Sequence, residues 1–185
     1  MAETNFILRE FNGLPFYSCR AFEELPGLCH GFSTRHSSRD RSAHTLNLGY
    51  SAGDSVETVD RNRLLFLSAL NLSETSLVTL HQIHSKCIHI IEEIHDHWNA
   101  PEGDALITRA EGISIAVETA DCLPVLIADP DNGAVAAVHS GWRGTLKQIA
   151  SETILTMQKV FRSSPARLLA GYFLESLDQH IILVE

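Results

Sequence analysis

Two short apolar runs and the turn between them constrain this chain most. Val125-Leu126-Ile127-Ala128 and Ala134-Val135-Ala136-Ala137-Val138 flank Asp129-Pro130-Asp131-Asn132-Gly133. Asn-Gly takes up the positive φ angles of a tight reversal, so the segment reads as an antiparallel β-hairpin. Its register is then limited. A two-residue loop sets Leu126 opposite His139, and a four-residue loop sets Pro124 opposite His139. Either way His139 faces an even-numbered residue. Side chains alternate faces with period two, so Cys122 can share a face with His139. In the four-residue register the two are diagonal neighbours, about 7–8 Å apart, close enough to reach one atom. A bulge near Pro124 would break that parity.

A thiol and an imidazole converging in this way leave three readings open. They are a zinc site, a Cys/His nucleophilic pair, and a buried thiol beside a satisfied core histidine. The other cysteines, Cys19, Cys29 and Cys87, form no C-x-x-C pair. In a reducing compartment they read as buried apolar residues.

Elsewhere, strands are expected at Phe6–Leu8, Phe16–Cys19, Cys29–Thr34, Ser76–Thr79, Cys87–Ile91, Asp104–Thr108 and Ile113–Val117. Residues 35–55 read as a polar loop. Asp54 or Ser55 opens a helix that Asn71 ends, and Leu146–Phe161 repeats apolar residues at helical spacing. This order suits an α+β domain with a mixed β-sheet core and flanking helices rather than a regular βαβ array. A length of 185 residues with 44% apolar residues suits a single domain with a sizeable core. The net charge of −9 argues against bulk nucleic-acid or anionic-membrane binding. It leaves room for a small anion held locally by arginine. No leader pattern and no membrane-length apolar run stands out, so the expected compartment is the cytoplasm.

Zinc needs a third protein ligand, which leaves one coordination position open for chemistry. His81-Gln82-Ile83-His84 follows an apolar strand. On a strand its two histidines point oppositely, so at most one enters a site. His95-x-His97 lies in an acidic stretch and reads as a solvated loop. A multicopper centre uses several His-x-His pairs, so copper is less favoured than zinc. Ser140-Gly141-Trp142-Arg143-Gly144-Thr145 leads from strand to helix. It is either an ordinary turn or an anion site built from glycine N–H groups, the helix start and Arg143. Trp142 packs on a planar base or caps the core.

Seven blocks occur in order. They are Gly31-Phe32-Ser33-Thr34-Arg35, Leu46-Asn47-Leu48-Gly49, Asn62-Arg63, His81-Gln82-Ile83-His84, Gly103-Asp104-Ala105-Leu106-Ile107-Thr108, Thr119-Ala120-Asp121-Cys122-Leu123-Pro124 and Ala137-Val138-His139-Ser140-Gly141-Trp142-Arg143-Gly144. Over about residues 28–170 the chain resembles the laccase-domain, or polyphenol oxidase, family of purine nucleoside phosphorylases. The resemblance implies a Zn2+ ion held by His84, Cys122 and His139 at strand ends. It implies phosphorolysis of purine nucleosides, methylthioadenosine included, and deamination of adenosine. By the same comparison Arg35, Asn47 and Arg143 lie at or near the substrate and phosphate pocket, with Cys122, His139 and Arg143 catalytic. The tail LESLDQHIILVE does not match the family pattern, so the resemblance implies a single domain, residues 1–185, incomplete at its C-terminus. The alternatives are a metal-free Cys/His hydrolase and an inactive truncated member. A homo-oligomer is compatible with all of these.

Overall fold

The computed structural model describes residues 5–36, 46–50, 53–73, 77–94 and 99–172, and the backbone of 180–184. The chain opens with a hairpin of β1 (Phe6–Phe11) and β2 (Leu14–Cys19), then a single helical turn α1 (Arg20–Glu23) and β3 (His30–Ser33). Helix α2 (Val56–Ala69) begins where Ser55 accepts a hydrogen bond from the Thr58 N–H, and Asn71 beyond its end is left-handed at φ 57°. Strands β4 (Leu77–Val78), β5 (Ile88–Ile91), β6 (Ala105–Thr108), β7 (Ser114–Thr119), β8 (Leu123–Ala128) and β9 (Val135–Ser140) follow. Helices α3 (Trp142–Leu146) and α4 (Ile149–Phe161), then β10 (Leu169–Tyr172) and β11 (His180–Val184), complete the order.

The strands form two mixed sheets, ordered β1-β2-β3-β11-β7-β4 and β10-β8-β9-β6-β5. Pairings β4–β7 and β5–β6 are parallel and the remaining ladders antiparallel. Alternation along each strand builds the layers. Ile115 and Val117 of β7 meet Leu106, Leu126, Ala128, Val135 and Ala137 of the second sheet in one core. The intervening Ala116 faces the outer side, against Phe66, Leu67 and Leu70 at the end of α2. Ala105, Ile107, Val125, Ile127, Ala136 and Val138 face outward on the second sheet, against Ile149 and Met157 of α4. The result is four layers in the order helix, sheet, sheet, helix. It is the α+β fold with a mixed-sheet core and flanking helices that the element order implies.

The hairpin takes the four-residue register, with Pro124 opposite His139 and the Asp129 N–H bonded to the Ala134 carbonyl at 2.8 Å. Gly133 supplies the positive φ, 70°. Four details differ from the sequence reading. The polar segment 35–55 contains Leu46 and Leu48, both fully buried against the α2 core. The expected helix 146–161 is broken at left-handed Gln148, which separates α3 from α4. Leu146, the first apolar residue of the expected helix, is exposed at the end of α3, and the buried side of α4 starts at Ile149 beyond the break. HQIH lies on no strand, since β4 ends at Val78. Cys87 is exposed rather than buried, because β5 is the outer strand of its sheet, while Cys19 is buried and Cys29 half-buried.

The unmatched tail supplies β11, which runs antiparallel to both β3 and β7 inside the first sheet. The His95-x-His97 pair lies outside the described residues. No described helix is long and apolar enough to cross a membrane.

Candidate metal centre

His84, Cys122 and His139 come from three separate segments, and one ligand atom of each lies within 4.8 Å of the others. His139 stands near the end of β9 with the parity of Val135 and Ala137, so it points between the sheets. Cys122 sits in the bend from β7 to β8, one residue before the ladder starts at Leu123. Its Sγ is 3.7 Å from His84 Nε2. The two imidazoles meet edge to face, with ring centroids 4.8 Å apart and planes at 85°.

His84 owes its direction to a left-handed backbone, φ 56°, unusual for a residue with a Cβ. Asp104, wholly buried ahead of β6, holds that turn in place. Its Oδ1 accepts the His84 N–H at 3.0 Å, and its Oδ2 accepts the Ser85 N–H at 2.6 Å and hydroxyl at 2.7 Å. Oδ1 also accepts from His139 Nδ1 at 2.8 Å, while the His139 N–H donates to the Asp104 carbonyl at 2.8 Å. With Nδ1 bearing the proton, the His139 Nε2 lone pair is free for a metal.

Gln82 fixes the other side of the loop. Its amide donates to the Glu118 carbonyl and accepts from the Glu118 N–H, both at 2.7 Å, completing backbone bonds at the edge of β7. His84 is thereby tied both to the strand leading to Cys122 and, through Asp104, to His139.

Several observations fit a metal here. A Cβ placed on Gly141 would stand 2.7 Å from His84 Cδ2 and 3.0 Å from Cys122 Sγ, so glycine preserves the space in which these groups converge. The requirement is close approach, since Gly141 has an ordinary φ of −66°. Burial pushes the Cys122 thiol up, and the carboxylates of Asp121 and Asp104 push it further. Anionic surroundings that penalise a bare thiolate favour a cation bound to it. Burial also lowers the His139 pKa against the pull of Asp104, keeping the ring neutral as a ligand requires. Burial opposes ionisation of Asp104, but the bonds from His139 and Ser85 outweigh it and hold the carboxyl below its ordinary range.

The trio forms part of the wall of a cavity of about 660 Å³, with Leu48, Tyr50, Arg63, His81, Gln82, Glu118 and Asp121 among the other lining residues. Arg35, Asn47 and Arg143 are not part of that wall. Arg35 Nε lies 3.4 Å from His36 Nε2. Asn47 donates to Asp54 and accepts from the Gly49 N–H, both at 2.9 Å, so its amide orders its own loop. Arg143 is exposed on α3, over the Trp142 ring at 5.1 Å. Trp142 is itself 66% exposed, and so does not cap the core.

Residues 29–172 match the family described as multi-copper polyphenol oxidoreductase laccase. The chain belongs to that family. Among curated relatives of this laccase family, a purine nucleoside phosphorylase of Corynebacterium glutamicum is 37% identical over 139 residues, 74% of this chain and 56% of that protein. Adenosine deaminase RL5, from an unknown prokaryotic organism, is 38% identical over 135 residues, 68% and 52% of the two chains. The chain thus spans about half the length of the curated relatives it matches. Among solved structures, YlmD from Geobacillus stearothermophilus superposes with a TM-score of 0.76 at 25% identity, over 91% of this chain and 64% of that one.

Three contributors to this laccase-family site escaped the sequence reading. Asp104 stands in a quoted block, yet its partners come from distant segments and no local pattern marks them. Gln82 stands within HQIH, where only the two histidines are weighed as candidates. Glu118 lies just beyond the expected strand Ile113–Val117, whereas β7 runs on through it to Thr119.

Proposed function

We propose that the chain is a zinc-dependent enzyme of purine nucleosides, carrying phosphorolysis, including that of methylthioadenosine, and deamination of adenosine. The observation that carries this reading is the cluster of His84, Cys122 and His139 on the wall of a cavity sized for a nucleoside. The names of the relatives supply the substrate class.

His84, Cys122 and His139 would hold the ion, which when bound supplies Lewis acidity beside the substrate. Asp104 keeps the His139 proton on Nδ1 and the His84 loop in its left-handed turn. The cavity walls exclude water and orient the purine and sugar. Asp121 is exposed beside Cys122 on the same wall and would accept a proton. In phosphorolysis, phosphate oxygen bonds to the ribose C1′ as the C1′–N bond to the purine breaks, with the electron pair leaving on the base. Arg143 has no carboxylate partner among the described residues, and its guanidinium suits phosphate delivered from solvent. Arg35 and Asn47 would lie near the substrate and phosphate, Asn47 through the turn its amide orders before Leu48 and Tyr50 of the cavity wall.

A second reading, a metal-free Cys/His hydrolase, draws on the 3.7 Å contact between Cys122 Sγ and His84 Nε2. The raised thiol pKa opposes it, since the thiolate is the nucleophile.

The test is hypoxanthine release from inosine with and without phosphate, with and without a chelator, in wild type and Cys122→Ala. Release that needs phosphate, metal and the thiol is expected. Equal release under all conditions, or none from metal-loaded wild type, contradicts the proposal.

A further inference from the structure

Glu118 is the cavity-wall carboxylate that the metal centre leaves unexplained. It stands on β7 on the side facing α2, and its carboxyl pairs with Arg63 of that helix. Arg63 is held from two further directions. Its Nε donates to the Leu48 carbonyl at 2.8 Å, and its guanidinium lies 4.3 Å from the centre of the Tyr50 ring. The backbone of Glu118 is pinned by both bonds of the Gln82 amide. Carboxyl and main chain are therefore both fixed before any ligand arrives. Only Oε1 is used by Arg63, and Oε2 has no donor among the described residues. Arg63, Tyr50, Gln82 and Glu118 all line the cavity that contains His84, Cys122 and His139.

A rigid carboxylate oxygen without a donor, on a cavity wall, calls for a ligand that brings hydroxyl or amine donors. Burial pushes the Glu118 carboxyl up against the pull of Arg63, as expected of a group short of donors. A ribose offers two adjacent hydroxyls, and acidic side chains accept from the ribose 2′-hydroxyl in dinucleotide sites. Arg63 occupies one oxygen and neutralises most of the charge, so the other accepts without repelling an approaching phosphate.

Building on the proposed nucleoside activity, we infer that Glu118, fixed by Arg63 and Gln82, is the residue that accepts the ribose 2′-hydroxyl. It thereby makes the site selective for ribonucleosides over 2′-deoxyribonucleosides. A site that hydrogen-bonds a substrate hydroxyl discriminates against the analogue lacking it, because the half-buried acceptor gives up water to the bound ligand and receives no donor in return.

The experiment measures direct binding of adenosine and 2′-deoxyadenosine by calorimetry, and turnover of both separately. It uses the metal-loaded full chain as wild type, Glu118→Gln and Glu118→Ala. Gln keeps an acceptor for Arg63 and turns an amide N–H toward the ligand, guarding against misfolding of the Ala variant. Metal content and thermal melting are read in each protein. Wild type is expected to prefer adenosine by roughly tenfold or more, the usual worth of a hydrogen bond to a charged group. The ratio should fall toward one in both variants while metal content is kept. Selectivity absent from wild type, or surviving in both variants, overturns the inference. So does failure of wild type to bind either nucleoside. Ribose-selective binding without turnover upholds the role of Glu118 and overturns the enzymatic reading alone.

Discussion

Asp104 is the most heavily committed side chain beside the centre, serving His84, Ser85 and His139 with two oxygens. Replacing it with Asn removes the charge and sets an N–H against one of those donors. Asp104→Asn is expected to weaken metal affinity about 10–100-fold, as for other groups that orient a ligand histidine, measured by competition with a chromophoric chelator. Gly141→Ala tests space rather than charge. Its methyl would fall 2.7 Å from His84 Cδ2, so metal should be lost from a chain that still folds, read by metal content beside circular dichroism. His30, far from the metal ligands in the chain, gives a pH signature. Its Nε2 accepts the Cys19 N–H at 2.8 Å, and burial lowers its pKa from 6.5 to about 4. The folded state favours the neutral ring, so its contribution is whole above pH 6.5 and drains away as pH falls toward 4. The loss across that window is about 3 kcal/mol. Urea unfolding against pH should show that slope in wild type and lose it in His30→Gln.

At the scale of elements, the β8–β9 hairpin was legible because two local rules agreed. Asn132-Gly133 fixed the turn, and period-two alternation carried His139 to the side of Cys122. The parity reached the right pairing even though the strand begins at Leu123, because the bend before it keeps the thiol on the same side. Gly133→Ala should destabilise the chain by about 1 kcal/mol, since a Cβ is strained at φ 70°, and its denaturant midpoint should fall with an unchanged slope. The HQIH loop was not legible in the same way. Strand alternation admits one of its histidines without saying which, and the choice of His84 rests on a left-handed turn held by Asp104 from elsewhere in the chain. The burial of Leu46 and Leu48 was hidden for the same reason, since their packing partners on α2 are remote in sequence. The break rests on the left-handed backbone of Gln148, which apolar spacing does not mark.

For the molecule as a whole, the helix–sheet–sheet–helix order follows from alternation on β6, β7, β8 and β9, each presenting one set of side chains to its neighbour sheet and another to a helix. The α+β class was readable from the order of elements. The division into two sheets was not, because it depends on which strands pair across long gaps, as with β11 between β3 and β7. His84 lies on the connection from β4 to β5 and Cys122 on the bend from β7 to β8, both crossings from the first sheet to the second, so a bound ion would tie these two crossings to His139 of β9. Ligand-linked stabilisation should be about 4 kcal/mol at a thousandfold excess over Kd. Chelation should accordingly lower the melting temperature of wild type and leave Cys122→Ala unmoved. The most direct measurement is elemental analysis of the purified chain and of Cys122→Ala, each confirmed as folded. One zinc ion per wild-type chain and none in the variant is the expected result. A folded wild type that takes up no metal, or a variant that holds it equally well, would contradict a centre built on His84, Cys122 and His139.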